Sequence, residues 1–288
     1  MNPNESTGFR GEASYREMDD NRRPSWIVSP DEWMDARLKL LIKERTLTRL
    51  RNEVNQQRMD MPWEIVDKSY VFEGPDGKVS LADLFEGRSQ LIIQHFMFGP
   101  GWKEGCVGCS FTSDHIDGAL VHLEHHDVSL VVVSRAPFPE LDAFKKRMGW
   151  QFRWVSAYNN DFNYDYHVSF RQEEIASGKV FYNYGLRDYK ELQCEEMSGH
   201  NVFYKDEAGN IFHTYSSYGN ADEVLIGTYN YLDYTPKGRN ENGPSKNLTD
   251  WVRHHDKYDD DGFVDTTGRY RAGKKPRTCC SEGEGKQS

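Results

Sequence analysis

Residues 89–118 read SQLIIQHFMFGPGWKEGCVGCSFTSDHIDG, and this stretch decides the fold. Its first part, Leu91–Phe98, is a dense apolar run that Gly99-Pro100-Gly101 brings to a stop. A run apolar on both faces is the pattern of a central strand buried from two sides. Cys106-Val107-Gly108-Cys109 follows, and from about Ser110 to His126 the apolar residues Ile116, Ala119, Leu120 and Leu123 recur at helical spacing. The order strand, cysteine loop, helix carries more information than the C-x-x-C string alone. Two intervening residues let the sulfurs meet within one helical turn. The first cysteine then stands at the helix N-terminus, where free N–H groups and the helix dipole favour a thiolate. Cys106 is therefore expected to be the nucleophile and Cys109 the resolving thiol. Lys103 should assist the thiolate, and Glu104 and Asp114 should oppose it.

Outward from this stretch, Ser129–Ser134 reads as a second buried strand, Glu140–Met148 as a helix and Phe152–Ser156 as a third strand. Asn201–Lys205 and Ile211–Tyr215 flank the turn residues Asp206–Asn210 and form a hairpin. Glu223–Tyr231 follows as a helix or extended piece. A parallel βαβ unit followed by an antiparallel hairpin gives an α/β fold, a mixed sheet flanked by helices. Upstream, Ser69–Glu73, a Gly74–Gly77 turn and a short helix-like Leu81–Phe85 lead into the sheet. Between the third strand and the hairpin, residues 157–197 form an aromatic-rich insertion, expected to be packing for a long loop, with a ligand pocket as the competing reading.

Residues 1–28 read as a flexible leader. Ser29, Pro30 and Glu32 form a helix start with a capping box, and Trp33, Ala36, Leu40, Leu47, Leu50 and Val54 continue as one stripe to about Gln57. That stripe of a helix at 29–60 must pack on the main domain, 63–260, or on a second copy of the chain, so a homo-oligomer is among the expectations. Residues 266–288 read as a disordered tail.

The whole sequence sets outer bounds. With 288 residues there is room for one large domain with decorations. A net charge of −10 argues against nucleic acid or anionic membrane as a partner. The longest apolar runs are strand-sized, and the first residues lack an apolar signal core, so the expected compartment is the cytosol. Five cysteines, Cys106, Cys109, Cys194, Cys279 and Cys280, are an odd number and sparse for this length, which is not a disulfide framework. Zinc would need two more ligands near the first pair, and no second C-x-x-C supplies them, so no metal or cofactor is expected.

At this length the motifs become recognisable. HFMFGPGWKEGCVGCSFTSDHIDG (95–118), VVVSRAPFPELDAFKKRMGW (131–150), NDFNYDYHVSF (160–170), VFYKDEAGNIFHTYSSYG (202–219), YLDYTPKGRNE (231–241) and DWVRHHDKY (250–258) closely resemble a thioredoxin-like family of unknown function described as predicted dithiol-disulfide oxidoreductases. The resemblance covers about residues 30–260 and implies a thioredoxin-like fold in a peroxiredoxin-like variant. It also implies dithiol chemistry at Cys106 and Cys109. Three departures from better-known relatives stand out. Gly105, not tryptophan, precedes the first cysteine, with Trp102 four residues upstream of it. The slot of the usual cis-proline reads Ser198-Gly199-His200-Asn201. Lys103 stands where peroxiredoxins carry a threonine.

Arg135 ends the second strand, where ligands gather in open α/β sheets, and could steady a thiolate or pair with a loop carboxylate. His95 inside the buried strand is most simply a hydrogen-bonded core histidine, with proton transfer to Cys109 as the sharper reading. Trp102 either shapes a substrate surface or caps the core. His122 and His126 read as a solvated face, and His254-His255-Asp256 as the docking of a tail segment. The expected activity is thiol–disulfide exchange with a disulfide-containing protein or a small-molecule thiol or disulfide. A thiol peroxidase with Cys106 oxidised to sulfenic acid, or a non-catalytic binding module, are the alternatives.

Overall fold

The computed structural model describes residues 27–239 and 241–258, and the backbone of 262–264 and 270–272. The leader up to residue 26, and nearly all of the tail with Cys279 and Cys280, lie outside the described residues. Two compact units divide the chain after Gln57. The described part of the first is most of helix α1 (Pro30–Met59). Ser29 and Glu32 form the expected capping box, with the Glu32 N–H donating to Ser29 Oγ at 3.3 Å and the Ser29 N–H to Glu32 Oε2 at 2.9 Å. The single stripe does not hold. At about 100° per residue, Met34, Leu38, Leu41 and Ile42 fall on the side opposite Trp33, Ala36 and Leu40.

In the second unit, β1 (Glu64–Ile65), β2 (Val71–Gly74), β3 (Gly77–Ser80) and a 3₁₀ turn at Ala82–Phe85 precede the central strand β4 (Gln90–His95). Helices α2 (Val107–Ser113) and α3 (Asp117–Glu124) follow, then β5 (Val128–Ser134), α4 (Phe138–Met148) and β6 (Arg153–Ser156). Later come α5 (Phe162–Asp165), α6 (Gln172–Ser177), a hairpin of β7 (Lys179–Tyr182) and β8 (Gly185–Asp188), and α7 (Tyr189–Leu192). The hairpin of β9 (Gly199–Lys205) and β10 (Ile211–Tyr218), a 3₁₀ turn at Gly219–Leu225 and α8 (Gly227–Leu232) come next.

The main sheet runs β1-β10-β9-β4-β5-β6-β2-β3. β5 is parallel to both β4 and β6, whereas β9 pairs antiparallel with β4 and with β10. This is the mixed sheet that the βαβ-plus-hairpin pattern predicts. Strand alternation divides its core in two. Ile93, Val131, Val133 and Phe203 face Phe72, Phe85 and Phe162 on one side. Val132 and Trp154 face Phe96, Cys109, Leu141 and Phe144 on the other.

The single helix expected from Ser110 to His126 is broken between Ser113 and Asp117. Side-chain acceptors at the break serve the loop before β6 instead of a continuing helix. Asp114 takes the Trp150 indole N–H at 2.8 Å, and Asp117 takes the N–H groups of Gln151 and Phe152, each at 2.9 Å. His115 Nδ1 also caps the Phe111 carbonyl at 2.8 Å.

The insertion at 157–197 carries its own short elements, and its rings build core. Phe162 completes one sheet face, and Val168, Phe170, Val180 and Tyr182 gather around Tyr218. Tyr158, Phe181 and Tyr184 are exposed.

Candidate active site

Cys106 is the N-cap residue of α2 and is partly exposed; Cys109 lies one turn in and is buried. Both thiols are free. The approach to Cys106 is fixed by its own N–H, which donates to the Met97 carbonyl at 3.0 Å. Gly105 presses against Phe96 so closely that an added Cβ would meet its Cε1 at 2.5 Å. That contact explains why no tryptophan fits before the first cysteine here. Cys109 Sγ accepts the Met97 N–H at 3.4 Å, so the strand end grips both cysteines.

The two thiols are driven apart in acidity. The Cys109 thiol donates to the Cys106 sulfur, and this hydrogen bond is the largest influence bringing Cys106 down to about 7. The N–H groups of Cys109 and Gly108 add to it, while burial opposes. Cys109 moves well above the ordinary thiol range, because of the same hydrogen bond first, then burial and the Cys106 charge.

Lys103 is exposed and is not among the groups that act on Cys106. The acids expected to oppose the thiolate are themselves engaged. Glu104 pairs with Arg147 at 2.5 Å and Lys257 at 2.8 Å, and Asp114 meets His255 at 2.7 Å. Trp102 is half-buried against the Phe96–Phe144 cluster; its Nε1 and the Glu196 Cγ lie 3.0 and 3.2 Å from where a Gly99 Cβ would be.

Arg135 pairs with the buried Glu196 of the insertion at 2.9 Å and lies over the Tyr164 ring at 4.6 Å. Glu196 also accepts from Ser169 Oγ at 2.6 Å, yet burial outweighs both partners and pushes its carboxyl up to about 7. Arg135 is thus the partner of a loop carboxylate.

His95 faces away from the cysteines. Its neighbour Gln94 donates to Ser113 of α2 at 3.2 Å, so by strand alternation His95 points to the opposite side of the sheet. There it stacks on Phe162 at 5.5 Å, with Asn163 on Nδ1 at 3.2 Å and Asn201 on Nε2 at 2.6 Å. Burial holds it neutral, its pKa lowered to about 3. The sheet itself stands between this ring and Cys109, which corrects the proton-transfer reading of His95.

Two features escape the sequence pattern. A strap at 243–258 lies against the cysteine helix. Leu248 Cδ1 comes within 3.3 Å of where a Gly108 Cβ would be, with Cys106 Sγ at 3.9 Å from the same point. Trp251 packs edge-on against Phe111 at 5.7 Å, and His254 Nε2 donates to the Gly105 carbonyl at 2.9 Å. His254 and its neighbours signal this docking in the sequence; Leu248 does not. The second feature is a buried pair, His200 and Asp222, on the cysteine side of the sheet. Among the described residues no group of three or more His, Cys, Asp or Glu could hold a metal ion.

A cysteine pair at the N-terminus of the helix that follows the central strand of a mixed β-sheet, with an antiparallel hairpin beside that strand, defines a thioredoxin-like protein. The chain belongs to the family described as bacterial protein of unknown function (DUF899), whose pattern matches residues 22–258. No curated protein sequence matches it. Among solved structures, it is similar to a mutant of PrxQ from Xylella fastidiosa, at 14% identity over 56% of this chain and 89% of that one, TM-score 0.35. A mutant of peroxiredoxin Q from Xanthomonas campestris shows 15% identity over 60% and 99% of the two chains, TM-score 0.38. A Chlorobium tepidum protein assigned as the thiol:disulfide interchange protein DsbE shows 12% identity over 58% and 94%, TM-score 0.35.

Proposed function

We propose that the chain is a thiol–disulfide oxidoreductase working through Cys106 and Cys109. The observation that carries this reading is the split between the two thiols: a partly exposed Cys106 at a helix N-terminus, brought down to about 7, backed by a buried Cys109 held protonated. The Cys106 thiolate attacks one sulfur of a disulfide, forming a mixed disulfide and expelling the other sulfur as a thiolate. Cys109 then gives up its proton and attacks Cys106 Sγ. The Cys106–Cys109 bond forms, the second partner thiolate leaves, and the partner disulfide has gained the two electrons the dithiol lost. A thiol partner reverses the sequence.

The partner we infer is a disulfide-containing protein or a small thiol or disulfide, met in a reducing compartment such as the cytosol. No helix among the described residues is long and apolar enough to cross a membrane. The pairing of Arg135 with Glu196 weighs against a peroxidase, which would need that guanidinium at the thiolate.

The test is a redox titration in glutathione or dithiothreitol buffers, with thiol loss followed by mass spectrometry. A two-electron transition between about −120 and −270 mV is expected, absent in Cys106→Ser and Cys109→Ser. If no Cys106–Cys109 bond forms at any potential, the proposal fails.

A further inference from the structure

Resolution by Cys109 needs somewhere for its proton to go, because the thiol is buried and held protonated. The carboxylate of the cysteine loop, Glu104, is engaged by Arg147 and Lys257. The cysteine side of the sheet offers an acceptor. His200 on β9 is registered directly opposite Gln94 on β4. Residues directly opposite in an antiparallel pair share a face, and Gln94 donates to Ser113 of α2, so His200 also looks toward the cysteine helix. Cys109 and Ser113 are one turn apart on that helix, on one side of it. His200 Nδ1 lies 3.0 Å from Asp222 Oδ2, and each residue is only 8% exposed. His200 Nδ1 and both oxygens of Asp222 have no aligned hydrogen-bond partner despite this burial. Buried acceptor atoms left without a donor are costly, and a site that moves a proton is one reason to keep them. Asp222 is near enough for its charge to act on Cys109 and on Tyr182.

We propose that His200 and Asp222 form the proton acceptor for Cys109 and so set the rate of mixed-disulfide resolution. This rests on the dithiol reading above. When Cys109 attacks Cys106 Sγ, its S–H proton passes to the pair and its electron pair forms the Cys106–Cys109 bond. The electrons of the broken mixed disulfide leave on the partner thiolate. In the reverse reaction the pair returns the proton to Cys109 as it leaves. Among the described residues, the ionisable groups that feel the pair include Tyr182 and Tyr184 on the β7–β8 hairpin, Tyr218 at the end of β10, and His95 across the sheet. Burial raises the three tyrosines and lowers His95, so all four stay neutral near pH 7 and do not compete for the proton.

The experiment mixes reduced full-length protein carrying Cys194→Ser, Cys279→Ser and Cys280→Ser, so that Cys106 and Cys109 are the reacting thiols, with 5,5′-dithiobis(2-nitrobenzoate) in a stopped-flow instrument and follows nitrothiobenzoate release. The first equivalent reports attack by Cys106 and the second reports resolution by Cys109. In Asp222→Asn the second phase is expected to slow on the order of a hundredfold near pH 7 while the first is unchanged, and to recover as pH rises. His200→Gln slows the second phase as well. The first phase is the internal control for folding. A second phase unchanged in both variants overturns the proposal. So does a loss in which both phases fall together without pH recovery, since that marks a merely structural role. The three-serine protein with His200 and Asp222 intact that releases only one equivalent brings down the dithiol reading itself, and this proposal with it.

Discussion

Gly105 has no side chain because Phe96 and Phe144 occupy the space one would need. Gly105→Ala places a methyl 2.5 Å from the Phe96 ring, on a backbone whose next N–H is committed to Met97. The variant should lose about 1–3 kcal/mol in urea denaturation, and wild-type stability would refute the contact. Cys106 makes a second prediction at the same scale. Its thiol falls from an ordinary 9.0 to about 7, so ionisation favours the folded reduced protein. For a depressed pKa the contribution is present in full above the unfolded value and is lost as pH falls through the folded one. Relative to Cys106→Ser, reduced wild type should gain on the order of 2 kcal/mol between pH 6 and pH 9. A flat difference over that range would mean that the thiol is not depressed. The cysteine pair was legible because its chemistry is contiguous: strand, loop, two sulfurs, helix. His200 and Asp222 were not, because β-register and a 3₁₀ turn bring them together from 22 positions apart in chain number. Lys103 misled for the opposite reason. Nearness in sequence to Cys106 did not put it among the groups that lower the thiol.

The elements divide by whether their signal is periodic. β4, β5 and β6 were readable as apolar runs with β-branched residues, and the β9–β10 hairpin by its Asp-Glu-Ala-Gly-Asn turn, because a strand buried on both faces leaves little room for polar residues. Helix α1 was readable in length and cap but not in its face, since apolar residues on its other side do not erase a stripe that is counted by itself. The break between α2 and α3 depends on Asp114 and Asp117 meeting a loop more than thirty residues away, and no local window contains that information. The strap at 243–258 has no periodic signal at all. It is shaped by Asp250, which accepts the N–H groups of Gly243 and Ser245 at 2.9 Å each, and it delivers Leu248 to the cysteine loop. A side chain in that place limits what reaches Cys106 by size. Leu248→Ala should therefore speed reaction with a bulky aromatic disulfide more than with iodoacetamide, while costing about 1–2 kcal/mol of stability for a half-buried leucine. Equal acceleration of the two reagents, or none, would show that Leu248 packs the helix without screening the sulfur.

At the scale of the whole molecule, Glu196 and Arg135 join the insertion to the carboxyl end of β5, and their ion pair is nearly dry, with side chains 3% and 14% exposed. Attraction to Arg135 favours the carboxylate and burial favours the neutral acid; burial wins, moving Glu196 from an ordinary 4.5 up to about 7. The folded protein then holds this proton more tightly than the unfolded chain does. Stability from the protonated acid is present in full below pH 4.5 and is lost as pH rises through about 7. Glutamine keeps the shape and cannot titrate, so the comparison isolates the effect. Wild-type stability minus that of Glu196→Gln should fall by about 2–3 kcal/mol between pH 4.5 and pH 8, read from urea denaturation at fixed salt. If the difference rises instead, Arg135 governs the pair, and the insertion is held by a charged clamp that tightens toward neutral pH. In that case acid, not alkali, should loosen residues 157–197 first, which amide hydrogen exchange along the insertion would display directly.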